Sequence, residues 1–116
     1  MLVYRVENCH GNGPYMDRTS GLNTMYYKHT GMNHPSPYND PALVAISINE
    51  YCAFDSPEAL REWFKGYLRA LKAEGFHIAV YEAKRARVGA KGQTLFIRKT
   101  ATKIKSASML SRKILI

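Results

Sequence analysis

The strongest constraint on the fold is a segment, residues 55–74, that has both the end signals and the apolar face of an amphipathic helix. Ser56 can cap its N-terminus, with Pro57 at the first helical position, where a missing backbone N–H costs nothing. Asp55 is the alternative cap, and Gly75 suits the residue that follows the last turn. Between these ends the apolar residues recur every three or four positions: Leu60, Trp63, Phe64, Tyr67, Leu68 and Leu71. The pattern predicts one continuous helix.

Shorter segments on both sides of the helix indicate β-strands. Apolar alternation predicts strands at residues 2–7, 76–81 and 93–98. Two apolar runs, 43–48 and 51–54, predict one or two further short strands. A strand, a helix and a returning strand favour a right-handed crossover, which would make the strands on either side of the helix parallel. The last strand follows a glycine-rich turn and would be antiparallel. The sequence therefore predicts an α+β fold, with one amphipathic helix packed on a small mixed β-sheet.

The rest of the chain is less regular. Its 116 residues suffice for a single domain, residues 1–116, and no run of about 18 apolar residues predicts a membrane span. Residues 8–42 lack periodicity and predict a long N-terminal loop or insertion, with a short helix around residues 22–29 as the alternative. Loops of this length often carry function. Residues 106–116 fit either a helix or a strand.

The residue types that bind metals do not have the spacing of a metal site. They are Cys9, His10, His29, His34 and Cys52. None forms a C-x-x-C pair or a closely spaced histidine pair on a helix, so we expect no bound metal. Two cysteines are too few for a disulfide framework, which favours free thiols and a cytoplasmic location, although a single Cys9–Cys52 bridge stays open.

Positive charge is concentrated in the C-terminal third, residues 83–116. The chain has 17 lysines and arginines against nine acidic residues, a net charge of +8, and no acidic residue follows Glu82. Such polarity attracts nucleic acid or an acidic protein surface, although a merely solvated surface would look the same. The residues that we expect to contact an anionic partner are Lys84, Arg85, Arg87, Lys91, Arg98 and Lys99.

Aromatic residues offer a second way to hold a nucleic acid. Tyr15, Tyr26, Tyr27, Tyr38 and Phe96 could stack on single-stranded bases while basic side chains contact the phosphates. The alternative is that these rings pack inside the fold. No helix–turn–helix, zinc-finger or RNA-recognition signature is present, so binding of this kind would be largely independent of sequence.

Several short blocks resemble a group of small proteins encoded by bacteriophages and prophages. They are residues 3–8, Gly13-Pro14-Tyr15, residues 34–37, residues 54–60 with Trp63-Phe64, Gly75-Phe76, residues 80–82 and residues 92–96. The resemblance implies a phage accessory protein that blocks a host-defence system, such as a CRISPR–Cas complex. Blockers of this size often bind a host effector without catalysis.

A fainter resemblance is to the ADP-ribosyltransferase fold. In that fold a first-strand Arg or His meets NAD, a position that Arg5 matches, and a late strand begins at a catalytic Glu, where this chain has Gln93. An amide cannot supply the carboxylate that stabilises the developing ribosyl cation. The resemblance therefore implies an NAD-dependent transferase or a degenerate relative of one. The structural alternative for Arg5 is an ion pair with Glu7 or Glu82.

The observations together predict a non-enzymatic protein without a cofactor, acting in the cytoplasm of a bacterial host. Its partner would be a host protein or nucleoprotein complex, met by the basic C-terminal third and the long loop, with no membrane involved. The first alternative is the NAD-dependent transferase, with Arg5 and Gln93 at its pocket. The second is a nucleic-acid-binding module that needs no protein partner.

Overall fold

The computed structural model describes residues 1–30 and 34–112. Its strands are β1 (Leu2–Glu7), β2 (Glu50–Ala53), β3 (His77–Glu82), β4 (Ala86–Val88), β5 (Thr94–Ile97) and β6 (Thr102–Ala107). Its helices are α1 (Asn23–Lys28), α2 (Pro57–Trp63) and α3 (Leu68–Ala73), with short 3-10 turns at Ser20–Leu22, Pro37–Asn39 and Arg98–Thr100. The expectation for residues 106–116 falls partly on residues 113–116, which lie outside the described residues.

The strands form two three-stranded sheets, and the α+β class is confirmed. The central sheet has the order β1-β3-β6 and the second sheet the order β2-β5-β4, with every described strand pair antiparallel. A pair of 2.8 Å backbone hydrogen bonds between Tyr4 and Phe54 joins the two sheets. The predicted mixed sheet and parallel crossover are wrong, because β2 and β3 belong to different sheets. The last predicted strand, β5, is antiparallel, but its neighbours are β2 and β4.

The central sheet lies between the helices and the second sheet. One face of β1 and β3 packs in a cluster with α1, α2 and α3 through Tyr4, Val6, Ile78 and Val80. The opposite face packs against Ala53 and Phe96 of the second sheet through Val3, Ala79 and Tyr81. The alternation predicted for both strands is therefore confirmed. Leu60 and Leu71 are fully buried on the helical side, where each side chain contributes about 1.5–3 kcal/mol of hydrophobic stabilisation.

The predicted helix is divided in two, although its ends are as expected. Ser56 Oγ accepts a 3.1 Å hydrogen bond from the Ala59 amide, which confirms Ser56 rather than Asp55 as the cap. The break between α2 and α3 contains Gly66, whose φ of +90° interrupts the helix. At Gly75 the chain closes α3 with the paired backbone hydrogen bonds of a Schellman motif.

The structure also differs from the predicted strands at residues 43–48. This run has bends and irregular backbone and ends in a turn, with Ile48 94% exposed and Ala45 at a φ of +52°. The carbonyl of Val44 accepts a 2.7 Å hydrogen bond from Arg87 Nη1, which holds the run outside the sheet. Strand β6, by contrast, has no counterpart among the predicted strands. Within residues 8–42 the alternative of a short helix is confirmed by α1.

None of the helices in residues 1–30 and 34–112 is long and apolar enough to cross a membrane.

Candidate functional site

Three of the six basic residues predicted to contact a partner meet at one end of the β4–β5 hairpin. Lys84 and Arg85 lie in the connection from β3 to β4, and Lys99 lies in the connection from β5 to β6. The two connections run side by side because the Ile97 amide donates a 3.2 Å hydrogen bond to the Arg85 carbonyl. All three side chains are exposed, and within the described part of the chain none forms an ion pair. We call these three residues the basic patch.

Two of the other predicted contact residues lie away from the basic patch. Arg87 makes two 2.9 Å hydrogen bonds to the carboxylate of Glu50, so its charge is paired within the fold, between the two edge strands of the second sheet. Burial raises the pKa of Glu50, but the hydrogen bonds from Arg87 and the Ser47 amide outweigh it and leave that pKa below its ordinary value. Lys91 lies in the β4–β5 turn, at the opposite end of the hairpin, where its backbone amide donates to Asp40 over 2.8 Å.

Arg98 is also used within the fold, although it precedes Lys99 directly. Its guanidinium lies 4.1 Å from the centre of the Tyr51 ring and donates a hydrogen bond to the Gly11 carbonyl. Its Nη1 is also 4.0 Å from a carboxylate oxygen of Glu7. The structure therefore places Lys84, Arg85 and Lys99 in two adjacent connections, whereas Arg87 and Arg98 are bound within the fold and Lys91 lies at the other end of the hairpin.

Glu7 is the centre of a buried polar network between the two sheets. It is only 3% exposed, and its carboxylate lies 3.2 Å from Arg5 Nε and 3.4 Å from Lys103 Nζ. The Tyr81 hydroxyl donates to both carboxylate oxygens, at 2.9 and 3.0 Å. Burial raises the pKa of Tyr81 to about 12, and the hydrogen bond to Glu7 acts in the same direction. Together with Arg98, which lies in a 3-10 turn, Arg5 of β1 and Lys103 of β6 thus surround the Glu7 carboxylate with positive charge.

The two residues suggested by the ADP-ribosyltransferase resemblance are held inside the fold. Arg5 pairs with Glu7, as the structural alternative predicted, and donates a 2.7 Å hydrogen bond to the Cys52 carbonyl. Gln93 is buried and donates a 3.0 Å hydrogen bond to the Pro35 carbonyl. That bond holds the long loop against the second sheet. Arg5 and Gln93 therefore both stabilise the fold through contacts with other parts of the chain.

Sequence reasoning missed a cluster of histidine and aromatic side chains next to α2. The rings of His29 and His34 stack with centres 3.6 Å apart. Tyr15 links them to Trp63, since its hydroxyl lies 2.6 Å from His29 Nδ1 and accepts a 2.9 Å hydrogen bond from Trp63 Nε1. Burial, and then the neighbouring His34, lower the pKa of His29 to about 4. His29 and His34 are close in the sequence, but Tyr15 and Trp63 come from separate segments, so no spacing motif could have revealed the whole cluster.

The cysteines and the histidine pair do not assemble a metal site. Among the residues that the structure describes, no group of three or more His, Cys, Asp or Glu side chains could hold a metal ion. Cys9 is exposed, Cys52 is half-buried, and both are free thiols, so the bridge that the sequence left open is not formed.

The five aromatic residues considered for base stacking fall into different environments. Phe96 and Tyr26 are buried in the two core clusters, as the alternative interpretation predicted. Tyr15 belongs to the histidine cluster. Tyr27 and Tyr38 are 81% and 77% exposed, Tyr27 in α1 and Tyr38 in the separate 3-10 turn Pro37–Asn39.

Comparison with known proteins relates the chain to a phage protein family. A family model described as the bacteriophage T4 Y00F protein matches residues 1–110. No curated protein and no solved structure matches the chain. The phage part of the sequence resemblance is therefore confirmed, whereas host-defence inhibition and ADP-ribosyl transfer stay predictions.

Proposed function

We propose that the chain, which belongs to the bacteriophage T4 Y00F protein family, is a non-enzymatic accessory protein that binds a host nucleic-acid-handling complex in the host cytoplasm. The basic patch makes the contact with an acidic surface of that complex. A host-defence effector such as a CRISPR–Cas complex belongs to this class of partner.

The observation that carries the proposal is the state of the three basic-patch side chains. Lys84, Arg85 and Lys99 are exposed and form no ion pair in residues 1–30 and 34–112, while their neighbours Arg87 and Arg98 are bound within the fold. Glu82, which lies close to them in sequence, is itself bound by the amino group of Met1 over 3.1 Å. The patch therefore keeps its charge available for an external partner.

The basic patch can recognise a partner by electrostatic attraction. Exposed like charges on adjacent connections attract an acidic surface from a distance and raise the rate of encounter. The attraction is screened over a Debye length of about 8–10 Å at physiological salt, so binding should weaken as salt is added. The patch thus supports recognition by charge, with the partner's shape adding specificity.

The test compares two triple variants of equal charge as baits for a host lysate. The first reverses the patch, with Lys84→Glu, Arg85→Glu and Lys99→Glu. The second reverses three exposed cations of the helical layer, with Lys65→Glu, Arg69→Glu and Lys72→Glu. Each reversal changes the charge by two, so six units are removed from +8 and both variants carry +2. We expect the patch variant to bind the captured partner at least about tenfold more weakly than the control variant.

The lysate is used with and without nuclease, and binding of the captured protein is then measured by titration against each variant. Capture that resists nuclease and fails only for the patch variant supports the proposal. Equal losses for the two variants would indicate a general effect of net charge and would contradict it. Capture that disappears with nuclease would instead indicate the nucleic-acid-binding alternative.

A further inference from the structure

An open groove lies beside α1, in the helical layer of the molecule. It is lined by Arg18, Asn23, Tyr26, Tyr27 and Thr30 and has a volume of about 650 Å³. No acidic residue is among these five. The basic patch, in contrast, lies where the connections between the two sheets meet, so the groove is a separate feature.

Arg18 is fixed at this groove by an aromatic ring rather than by a carboxylate. Its guanidinium lies 4.0 Å from the centre of the Tyr26 ring. That ring is itself held in place, because the Tyr26 hydroxyl donates to the Pro14 carbonyl at 2.8 Å and accepts from the Thr19 amide at 3.1 Å. Arg18 forms no ion pair with any described residue. Its N–H groups are therefore positioned by stacking and remain available to an anion.

Tyr27 supplies an exposed aromatic face at the same groove. Its side chain is 81% exposed, although its neighbour Tyr26 is buried. Asn23 precedes Tyr27 by four residues in α1, which places the two side chains on one face of the helix. Thr30 follows Tyr27 by three residues and also lines the groove. An aromatic face, neutral hydrogen-bonding groups and a guanidinium thus occur together.

We propose that this groove binds single-stranded nucleic acid. Tyr27 stacks on a base, Arg18 binds a backbone phosphate, and Asn23 and Thr30 offer hydrogen bonds to the sugar or the base edge. Stacking and phosphate contact are the two interactions by which single strands are held without sequence preference. The inference does not depend on the proposed function, because it concerns different residues and a different surface.

The first experiment measures fluorescence anisotropy of a labelled oligothymidylate of twelve nucleotides. Tyr27→Ala should weaken binding about tenfold, since stacking on an aromatic side chain typically accounts for an effect of this size. Tyr27→Phe should retain affinity because it keeps the ring. Tyr38→Ala is the matched control, since Tyr38 is 77% exposed and lies outside the groove. All three variants keep the net charge of +8, so a loss in Tyr27→Ala is not an effect of charge.

The second experiment measures the salt dependence of the same binding. The slope of log K against log salt is negative. Arg18→Ala should make it less steep by about 0.7, the value of one phosphate contact on a single strand. Tyr27→Ala should leave that slope unchanged. Equal affinities of Tyr27→Ala and Tyr38→Ala, an unchanged slope in Arg18→Ala, or no binding of the unmodified chain at low salt would each overturn the proposal.

Discussion

Arg98 and Lys99 are adjacent in the sequence but belong to two regions that use positive charge in opposite ways. Arg98 faces the interior between the sheets, where it contacts Tyr51, Gly11 and Glu7. Lys99 faces solvent and forms no ion pair within residues 1–30 and 34–112. The same contrast separates Arg87, which is bound by Glu50, from the exposed Lys84 and Arg85.

The difference teaches that a charge asymmetry in the sequence is not by itself a binding surface. A cation that has a buried carboxylate or an aromatic ring as its partner contributes to the stability of the folded state. A cation without a partner contributes little to stability and keeps its charge for an external ligand. The comparison predicts that stability and partner binding depend on different basic residues, and substitutions can test this in order of expected effect.

The largest effect is expected at the centre of the interior network. Glu7→Gln removes the negative charge that Arg5 and Lys103 share and leaves the buried Arg5 guanidinium without that compensation. Breaking a buried ion pair in this way typically costs about 3–5 kcal/mol of unfolding free energy. Urea denaturation followed by circular dichroism measures the loss.

Its control is Glu82→Gln, which removes an exposed carboxylate that pairs with the amino group of Met1. A surface pair contributes at most about 1 kcal/mol, so the denaturation midpoint should hardly move. Similar losses for the two variants would contradict the distinction between interior and surface charge.

A smaller effect is expected when the two adjacent cations are compared directly. Arg98→Ala loses the interaction with the Tyr51 ring and the hydrogen bond to the Gly11 carbonyl, together about 1–2 kcal/mol. Lys99→Ala should stay within about 0.5 kcal/mol of the unmodified protein, because it removes no contact of this kind. Equal thermal midpoints for the two variants would contradict the distinction between the interior Arg98 and the exposed Lys99.

The smallest effect is expected at Arg87, and it depends on pH. Arg87→Ala should cost about 1 kcal/mol at pH 7, since it removes two charged hydrogen bonds to Glu50 at the edge of the second sheet. The pKa of Glu50 is lowered from its ordinary value of 4.5 in the folded state. The ion pair therefore stabilises the fold fully above about pH 4.5 and loses this contribution as the pH falls through the lowered pKa.

Denaturation curves of both proteins between pH 7 and pH 3 check this expectation. The gap in unfolding free energy between the unmodified protein and Arg87→Ala should close as the pH falls. A gap that stays constant over this range would show that Arg87 stabilises the fold through packing of its side chain rather than through the ion pair.

The sequence was sufficient to predict the parts of the fold that local pattern determines. Alternation gave β1, β3 and β5, and the cap at Ser56 marked the start of α2 correctly. The helical stripe also predicted burial correctly across the break at Gly66, because Leu60 and Leu71 lie in one core cluster. Only the continuity of the helix was wrong, since a glycine can turn the chain without a signal in the apolar spacing.

Long-range pairing could not be predicted in the same way. Strand β6 has lysines among polar residues and belongs to the edge of the central sheet, where only its partner β3 makes it a strand. Conversely, the run at residues 43–48 has the composition of a strand but is held outside the sheet by contacts from elsewhere in the chain, such as that of Arg87 with Val44. Parallel or antiparallel order likewise depends on which strands meet, which no local pattern records.

The candidate sites show the same limit. The charge asymmetry predicted six contact residues, but it could not separate the exposed Lys84, Arg85 and Lys99 from Arg87 and Arg98, whose partners are far away in the sequence. The cluster around His29 and His34 was also missed. Its other members, Trp63 and Tyr15, come from segments far away in the sequence.

The hydrogen bond between the Ile97 amide and the Arg85 carbonyl involves main-chain atoms alone. Side chains at positions 84, 85 and 99 would therefore be displayed together whatever their identity. All three side chains can therefore be exchanged without loss of the main-chain contact that aligns the two connections. Under the proposed function, family members with different partners should differ at these positions while keeping the same fold.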